Sequence, residues 1–298
     1  LSLHDALPIY PSILYFGSRT DGLWRSENAS ASGSWSRLYS MTEPGITGVG
    51  LTFVAVDKRS VSGGRSQRIF VGSYGKGVYL STNAGGSWTQ VWNDTKPMRC
   101  AIAVDGIAYF TSGNGTLGIY NGALRIARPG SKPSLCAVAV HPSDAKVVLV
   151  GSWGWGVEEV YRTIDGGTSW SGVGVTKGPG FSSSFHDRNR FGSGMSALAI
   201  DPFTPQKVWM TEGLLVWRTD DISANPSTWD ILVNGIEQTV VKDLVSHPGG
   251  ASLISALANV SGFRHVSLKH PPARSFNSPF VQEATTGIDC AGANPTVV

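Results

Sequence analysis

Charge is the first thing this sequence lacks. Asp, Glu, Lys and Arg make up 15% of its 298 residues, against roughly 25% in an ordinary soluble domain. The net charge of +3 is spread along the chain, which leaves no electrostatic basis for binding nucleic acid or an anionic membrane surface. No apolar run approaches the roughly 18 residues of a membrane span. Cysteine is scarce: Cys100, Cys136 and Cys290 lie far apart with no Cys-x-x-Cys pair. That excludes the usual zinc spacings and limits the chain to one disulfide, so the three read as small buried hydrophobes. Among six histidines only His265 and His270 are near neighbours, at a spacing that suits no common metal motif. No phosphate-binding loop, dinucleotide fingerprint or Gly-x-Ser-x-Gly elbow occurs in a fitting context. Neither a metal nor a cofactor is expected. Helical periodicity over three turns is missing as well.

What is present in excess is glycine, 37 residues, and tryptophan, 10 residues. Their placement is periodic. A β-rich run, a Gly-rich turn, a short alternating strand and a polar turn closed by Trp recur along the chain. The first copy runs Ile13-Leu-Tyr-Phe-Gly-Ser, then Gly22-Leu-Trp-Arg-Ser26, then Gly33-Ser-Trp35. Later copies are Ile69-Phe-Val-Gly-Ser with Gly77-Val-Tyr-Leu-Ser81 and Trp88, and Val147-Val-Leu-Val-Gly-Ser with Val160-Tyr-Arg-Thr163 and Trp170. A further copy joins Val208-Trp-Met, Leu215-Val-Trp-Arg-Thr219 and Trp229. A degenerate unit without the Trp turn, Ile107 to Tyr120, fills the one long gap. An alternating strand ending in x-Pro precedes several units, as in Ala137 to Pro142, Leu198 to Pro202 and Asp243 to Pro248. Short strands at period two, about four to a unit of 40 to 60 residues, are the pattern of propeller blades. The expected fold class is therefore all-β, built of β-propeller blades.

The turns Ser81-Thr-Asn-Ala-Gly-Gly-Ser-Trp88 and Thr163-Ile-Asp-Gly-Gly-Thr-Ser-Trp170 match the Asp-box, Ser/Thr-x-Asp/Asn-x-Gly-x-Ser/Thr-Trp. In such a turn the Asn or Asp bonds backbone N–H groups, Gly takes a positive φ and Trp packs the turn onto its blade. Repetition from blade to blade marks this as architecture, so Asp165 is not read as catalytic. Trp24, Trp35, Trp88, Trp170 and Trp229 are assigned to blade packing on the same ground.

The order of segments resembles the xyloglucan-degrading enzymes of glycoside hydrolase family 74, of the xyloglucanase and oligoxyloglucan reducing-end-specific cellobiohydrolase type. The resemblance is carried by Leu14 to Ser26, by Ala197-Leu-Ala-Ile-Asp-Pro-Phe203 and by Gly235-Ile-Glu-Gln-Thr-Val240. It continues through Leu253-Ile-Ser-Ala, Ser261-Gly-Phe-Arg-His265 and Thr286-Gly-Ile-Asp289 with Asn294-Pro295. It covers residues 10 to 298, more strongly after 197. It implies two seven-bladed propellers in tandem with a glucan cleft between them, of which this chain holds a partial set of blades. Residues 10–190 are then the later blades of the first propeller and 191–298 the opening blades of the second. Residues 1–9, which fit no later pattern and resemble translated sequencing adapter, are set outside the fold. Both ends read as cut, the mark of an internal fragment.

The resemblance also implies inverting chemistry, in which one carboxylic acid protonates the leaving oxygen and an opposed carboxylate about 6.5–9.5 Å away activates water. The family's base lies in a first blade that this chain lacks. Its acid precedes Ser-Gly-Phe-Arg-His, where this sequence has Asn259, an amide with no ionisable proton to give. Either the parent is impaired, or another carboxylate serves. Asp289 and Glu237 are the substitutes weighed, although Asp289 reads first as a turn residue and Glu237 as a solvated loop residue. Substrate contact falls to Trp153 and Trp155 in Gly151-Ser-Trp-Gly-Trp-Gly156, with Tyr74 as a lesser candidate. For the tryptophan pair, sugar stacking and blade-core packing remain equally open. The expected partner is a xyloglucan-like polysaccharide, met by a monomer. Secretion is compatible with the Asn-x-Ser/Thr sequons at Asn28, Asn93, Asn114 and Asn259, although no signal peptide is visible. A non-catalytic propeller that binds polysaccharide or protein is the alternative. A sialidase is more distant, because its arginine cluster has no counterpart.

Overall fold

The computed structural model describes residues 13–28, 34–39, 49–153, 159–178, 194–212, 215–232, 240–246, 253–258, 261–270, 272, 276 and 285–288. Among them every regular element is a β-strand. Among the described residues the strands form six open sheets of three to five strands in which sequence neighbours mostly pair, as in propeller blades, and one two-stranded hairpin, Val61–Ser62 with Arg65–Ser66. Sheet one holds Leu14–Gly17, Leu23–Ser26 and Trp35–Tyr39. Sheet two holds Leu51–Val56, Ile69–Ser73, Gly77–Ser81 and Thr89–Trp92. Sheet three follows with Pro97–Ile102, Ala108–Ser112, Leu117–Tyr120 and Leu124–Ala127, and sheet four with Ser134–Val140, Val148–Trp153, Val160–Thr163 and Ser171–Val173. Sheet five comprises Ala197–Ile200, Val208–Thr211, Val216–Thr219 and Ser227–Ile231, with Val175–Lys177 on its outer edge. Sheet six has Val241–Val245, Leu253–Leu257 and Gly262–His265. By sequence, the strands of sheet one match the second to fourth strands of sheet two.

The chain separates into two units. One contains Leu1–Thr176, Gly192–Gly213 and Arg218–Thr228; the other contains Lys177–Phe191, Leu214–Trp217 and Trp229–Val298. Within the first unit, the leading strands of sheets two to five are successive neighbours, the arrangement of inner strands in a propeller. Period-two alternation gives each sheet two apolar faces, and the cores lie between sheets. Ile69 and Val71 pack with Tyr15 and Leu23 between sheets one and two. Phe70 and Phe110 meet edge-on at 5.2 Å between sheets two and three. Leu117, Leu135, Val150 and Tyr161 pack between sheets three and four. Ile69, Phe70 and Val71 are fully buried, and each contributes about 1.5–3 kcal/mol. The recurring Gly of Val-Gly-Ser lies where a side chain has no room: a Cβ on Gly72 would overlap the Phe53 ring.

The leading strand also carries a repeated bulge. Its register shifts between Leu51 and Phe53, Pro97 and Arg99, Leu135 and Ala137, and Val241 and Asp243. The extra residue bends the strand next to the loop that joins the second strand to the third. Thr52 Oγ1 and Cys136 Sγ donate to the carbonyls of Gly72 and Gly151 there. Cys100 and Cys136 are buried.

Trp229 is fully buried, and Trp88 and Trp170 pack against the cores between sheets one and two and between three and four. Trp35 differs from expectation. It is 41% exposed and meets Phe16 edge-on at 6.4 Å. The cause is its face: Trp35 pairs across Ser26 with Leu14, on the side of sheet one turned away from Tyr15, Leu23 and sheet two.

Candidate functional site

Antiparallel order gives every sheet two unlike ends. At one end lie the closing turns between third and fourth strands. Ser81 Oγ accepts from the N–H of Gly85 at 2.8 Å, and Asn83 Oδ1 accepts from the N–H of Ser87 at 2.8 Å. In sheet four Thr163 Oγ1 accepts from the N–H of Gly167, and Asp165 accepts from the N–H groups of Thr168 and Ser169 and from Ser169 Oγ. The Ser169 hydroxyl, then its N–H, then Thr163 hold the Asp165 carboxyl well below the usual carboxylate range. Gly85 and Gly167 have φ of +94° and +84°. An arginine of the preceding sheet clamps each turn: Arg25 donates to Ala84 O, and Arg125 to Gly166 O and Gly167 O. The Ser81, Asn83, Thr163 and Asp165 side chains are thus spent on the turns themselves.

The first-to-second turns at the same end are likewise self-contained. His141 Nδ1 accepts from the N–H groups of Ser143 and Asp144, and Asp201 Oδ1 from those of Phe203 and Thr204. The x-Pro marker is therefore a turn cap at both positions. An open depression of about 410 Å³ lies among these turns, lined in part by Asp57, Arg59, Val104 and His141. Two of its charges pair with each other, since Asp57 takes Arg59 and Arg68 and Arg59 donates to Val104 O, and Lys58 lines it as well. Among the described residues no cluster of His, Cys, Asp and Glu is suited to a metal.

The other end, where the second strand turns into the third, is the rim. A closing bond recurs there, from Ser18 N to Gly22 O, Ser112 N to Thr116 O, Ser152 N to Glu159 O and Leu257 N to Ser261 O. The sequence candidates fall on these loops. Tyr74 follows the second strand of sheet two, half-buried, its N–H on Gly50 O at 3.0 Å. Trp153 ends the second strand of sheet four, opposite Ser134, and is 43% exposed. Asn259 belongs in sequence to the same loop of sheet six, but Asn259, Trp155, Glu237 and Asp289 lie outside the described residues. What flanks them is defined: Ala258 N donates to Val240 O, and Thr285 N to Leu257 O. Asp243 Oδ2 accepts from the N–H of Ile288.

Three anchors of the rim were not picked out from the sequence. Asp94 accepts from the N–H of Lys96 and from Ser112 Oγ, Asn114 Nδ2 and Thr116 Oγ1, so the segment joining sheets two and three grips the loop of sheet three. Lys132 pairs with Glu159 at 3.4 Å in the corresponding place before sheet four. Asp243 ties residue 288 to the leading strand of sheet six. The alternation Ser112-x-Asn114-x-Thr116 was the one available signal; the partners are too distant in sequence to be paired by inspection.

No protein-family model matches the chain. Individual proteins do. A xyloglucanase from a Paenibacillus species is 29% identical across 100% of this chain and 35% of its own length. A xyloglucanase of Acetivibrio thermocellus is 27% identical across 99% of the chain and 42% of its own length. Among solved structures, the family 74 xyloglucanase of Xanthomonas campestris superposes with a TM-score of 0.74 at 28% identity, covering 91% of this chain and 44% of that one. The family 74 enzyme of Niastella koreensis gives 0.75 at 25% identity, with 91% and 43% covered. The chain thus spans less than half the length of each. In sequence and in fold, over nearly all of its length, this chain is similar to part of the xyloglucanases of glycoside hydrolase family 74.

Proposed function

We propose that the chain is part of a secreted, monomeric xyloglucan-degrading glycoside hydrolase, and that the rim loops carry the polysaccharide. The observation that supports this reading is coverage: similarity to xyloglucanases extends over 96–100% of the chain. Residues 10–190 then supply later blades of one propeller and 191–298 the opening blades of a second. Trp153, with Trp155 and Tyr74, offers aromatic faces for sugar rings, since aromatic side chains join a large apolar face to a polar edge. The reaction is inverting hydrolysis of a β-1,4-glucan backbone. The acid belongs at position 259 and the base on a blade outside this chain, so the chain alone is inactive.

Asn259 sets the state of the parent. An amide accepts and donates hydrogen bonds but cannot deliver a proton to a leaving oxygen, and losing a general acid costs about 10²–10⁴ in rate. Asn259→Asp in the full reading frame restores the acid, and xyloglucan hydrolysis should rise about tenfold or more. The test is reducing-sugar release from xyloglucan. No gain with binding retained favours the second reading, a propeller that binds polysaccharide without cleaving it. That alternative is supported by the same Asn259. Absence of xyloglucan binding defeats both.

A further inference from the structure

The rim of sheet four carries a charged cluster that no closing turn uses. Ser152 and Glu159 face each other at the base of the loop that follows Trp153. Ser152 N donates to Glu159 O at 2.9 Å, and Glu159 N donates to Ser152 Oγ at 2.8 Å. Glu159 Oε2 accepts the Tyr161 phenol, and Oε1 lies 3.4 Å from Lys132 Nζ. Tyr161 is buried against Gly130 and the core between sheets three and four. Burial first, and then the Glu159 bond, raise its phenol far above the usual range, so it is a permanent donor. The carboxylate is thus fixed in place while its side chain stays 39% exposed.

Stability alone does not call for this arrangement. An exposed ion pair contributes about 0–1 kcal/mol. The buried phenol needs an acceptor, but a neutral amide oxygen would serve. A negative charge at 159 and a positive charge at 132 are extra, and they are held at the open edge of the sheet.

Register gives the direction. Val160 pairs with Gly151 and Tyr161 with Val150, so Glu159 shares the face of Tyr161, toward sheet three. Trp153 falls on the opposite face, shared with Gly151, which abuts Met195 and Leu198. The two groups flank the rim of one sheet, on its opposite faces. A compact ligand meets one of them; a linear chain crossing the rim meets both. A carboxylate beside an ammonium offers acceptor and donor together, which complements vicinal hydroxyls that both donate and accept. An anion would be repelled by Glu159, and an apolar group would strip water from the pair without replacing it.

We infer that Lys132 and Glu159 form a hydroxyl-binding subsite for a neutral glycan whose adjoining sugar stacks on Trp153. This rests on the polysaccharide reading given above and adds the residues that fix the strand's orientation. Because Tyr161 and Lys132 already immobilise Glu159, little side-chain entropy is lost on binding.

The test is calorimetric titration of the 298-residue chain with a xyloglucan heptasaccharide, alongside thermal unfolding. Glu159→Gln retains an acceptor for Tyr161, and Lys132→Met retains the packing of the stem. Each should weaken binding about fivefold to tenfold with the melting temperature unchanged within about 2 °C. Trp153→Ala should weaken it as much or more. Undiminished binding in Glu159→Gln, with loss in Trp153→Ala, overturns the subsite and leaves the polysaccharide reading intact. A fall in affinity only in step with melting temperature makes the cluster structural and likewise overturns it. No binding by the unsubstituted chain likewise overturns the subsite, and the polysaccharide reading then stands or falls on xyloglucan binding by the full reading frame.

Discussion

The two ends of each sheet solve the same problem in different ways. At the closing-turn end, backbone N–H groups are absorbed by side chains within four residues: Ser81 and Asn83, Thr163 and Asp165, His141, Asp201. At the rim, loops are held from far away in sequence. Asp94 reaches Ser112, Asn114 and Thr116, and Lys132 reaches Glu159. Local closure must repeat, because the turn and its cap are one unit. Long-range closure fixes the base of a loop and leaves its tip free to vary, so Tyr74 and Trp153 can occupy equivalent loops with different chemistry. Loops varied on a rigid scaffold are where binding groups concentrate.

If the closing turns are architecture, a small steric change there should cost more than any change at the rim. Gly167 has a φ of +84°, and a Cβ placed on it would lie 2.7 Å from Ile119 Cδ1 in sheet three. Gly167→Val combines backbone strain with overpacking, about 3 kcal/mol or more, and should lower the melting temperature by about 6–12 °C. Gly122, in the shorter turn of sheet three, has a φ of +77° and nothing within 4 Å. Gly122→Val should therefore cost only the strain, about 1–2 kcal/mol. Equal losses at the two sites in thermal unfolding would break the claim that the closing turn docks on its neighbour.

The same division explains what could be read in advance. Blade order was legible because Ile69-Phe-Val-Gly-Ser and its repeats alternate at period two, and the closing turns of sheets two and four complete their own side-chain bonds inside eight residues. Trp35 lies on the face of sheet one away from sheet two, and repetition identifies such a position but not whether another sheet covers it. The rim was legible only in its aromatics. A tryptophan between glycines is conspicuous in sequence, whereas Asp94 sits in an ordinary polar turn. Its three side-chain partners lie across a whole strand. Glu159 looks like any solvated glutamate until Tyr161 and Lys132 are seen around it.

Asp94 offers a second, smaller test, and it is local. Asp94→Ala removes the acceptor shared by Lys96 N, Ser112 Oγ, Asn114 Nδ2 and Thr116 Oγ1. The rim loop of sheet three should open more often, with amide exchange at Gly113 to Gly115 about tenfold faster, for an opening free energy lower by about 1.4 kcal/mol. Exchange at Gly85 to Ser87, in the closing turn of sheet two, should not change. Coupled acceleration at both ends would mean that the ends are not independent.

The smallest effect separates two closing turns that are otherwise alike. Sheet two uses Asn83, whose amide accepts from Ser87 N–H and donates to Ser87 Oγ. Sheet four uses Asp165, whose carboxylate accepts from Ser169 N–H and Ser169 Oγ. Only the second titrates. Because the folded chain holds Asp165 below its ordinary value of 3.8, its contribution to stability is complete above that value and declines as pH falls toward the depressed one. Protonation turns an acceptor into a competing donor facing Ser169. Amide resonances of Thr168 and Ser169 should therefore hold their positions through the ordinary carboxylate range and shift only below it, while that of Ser87 stays. Asp165→Asn should abolish the response in sheet four, and Asn83→Asp should create one in sheet two. Matching shifts in both turns before substitution would trace the change to general acid loosening, not to the one carboxylate that distinguishes them.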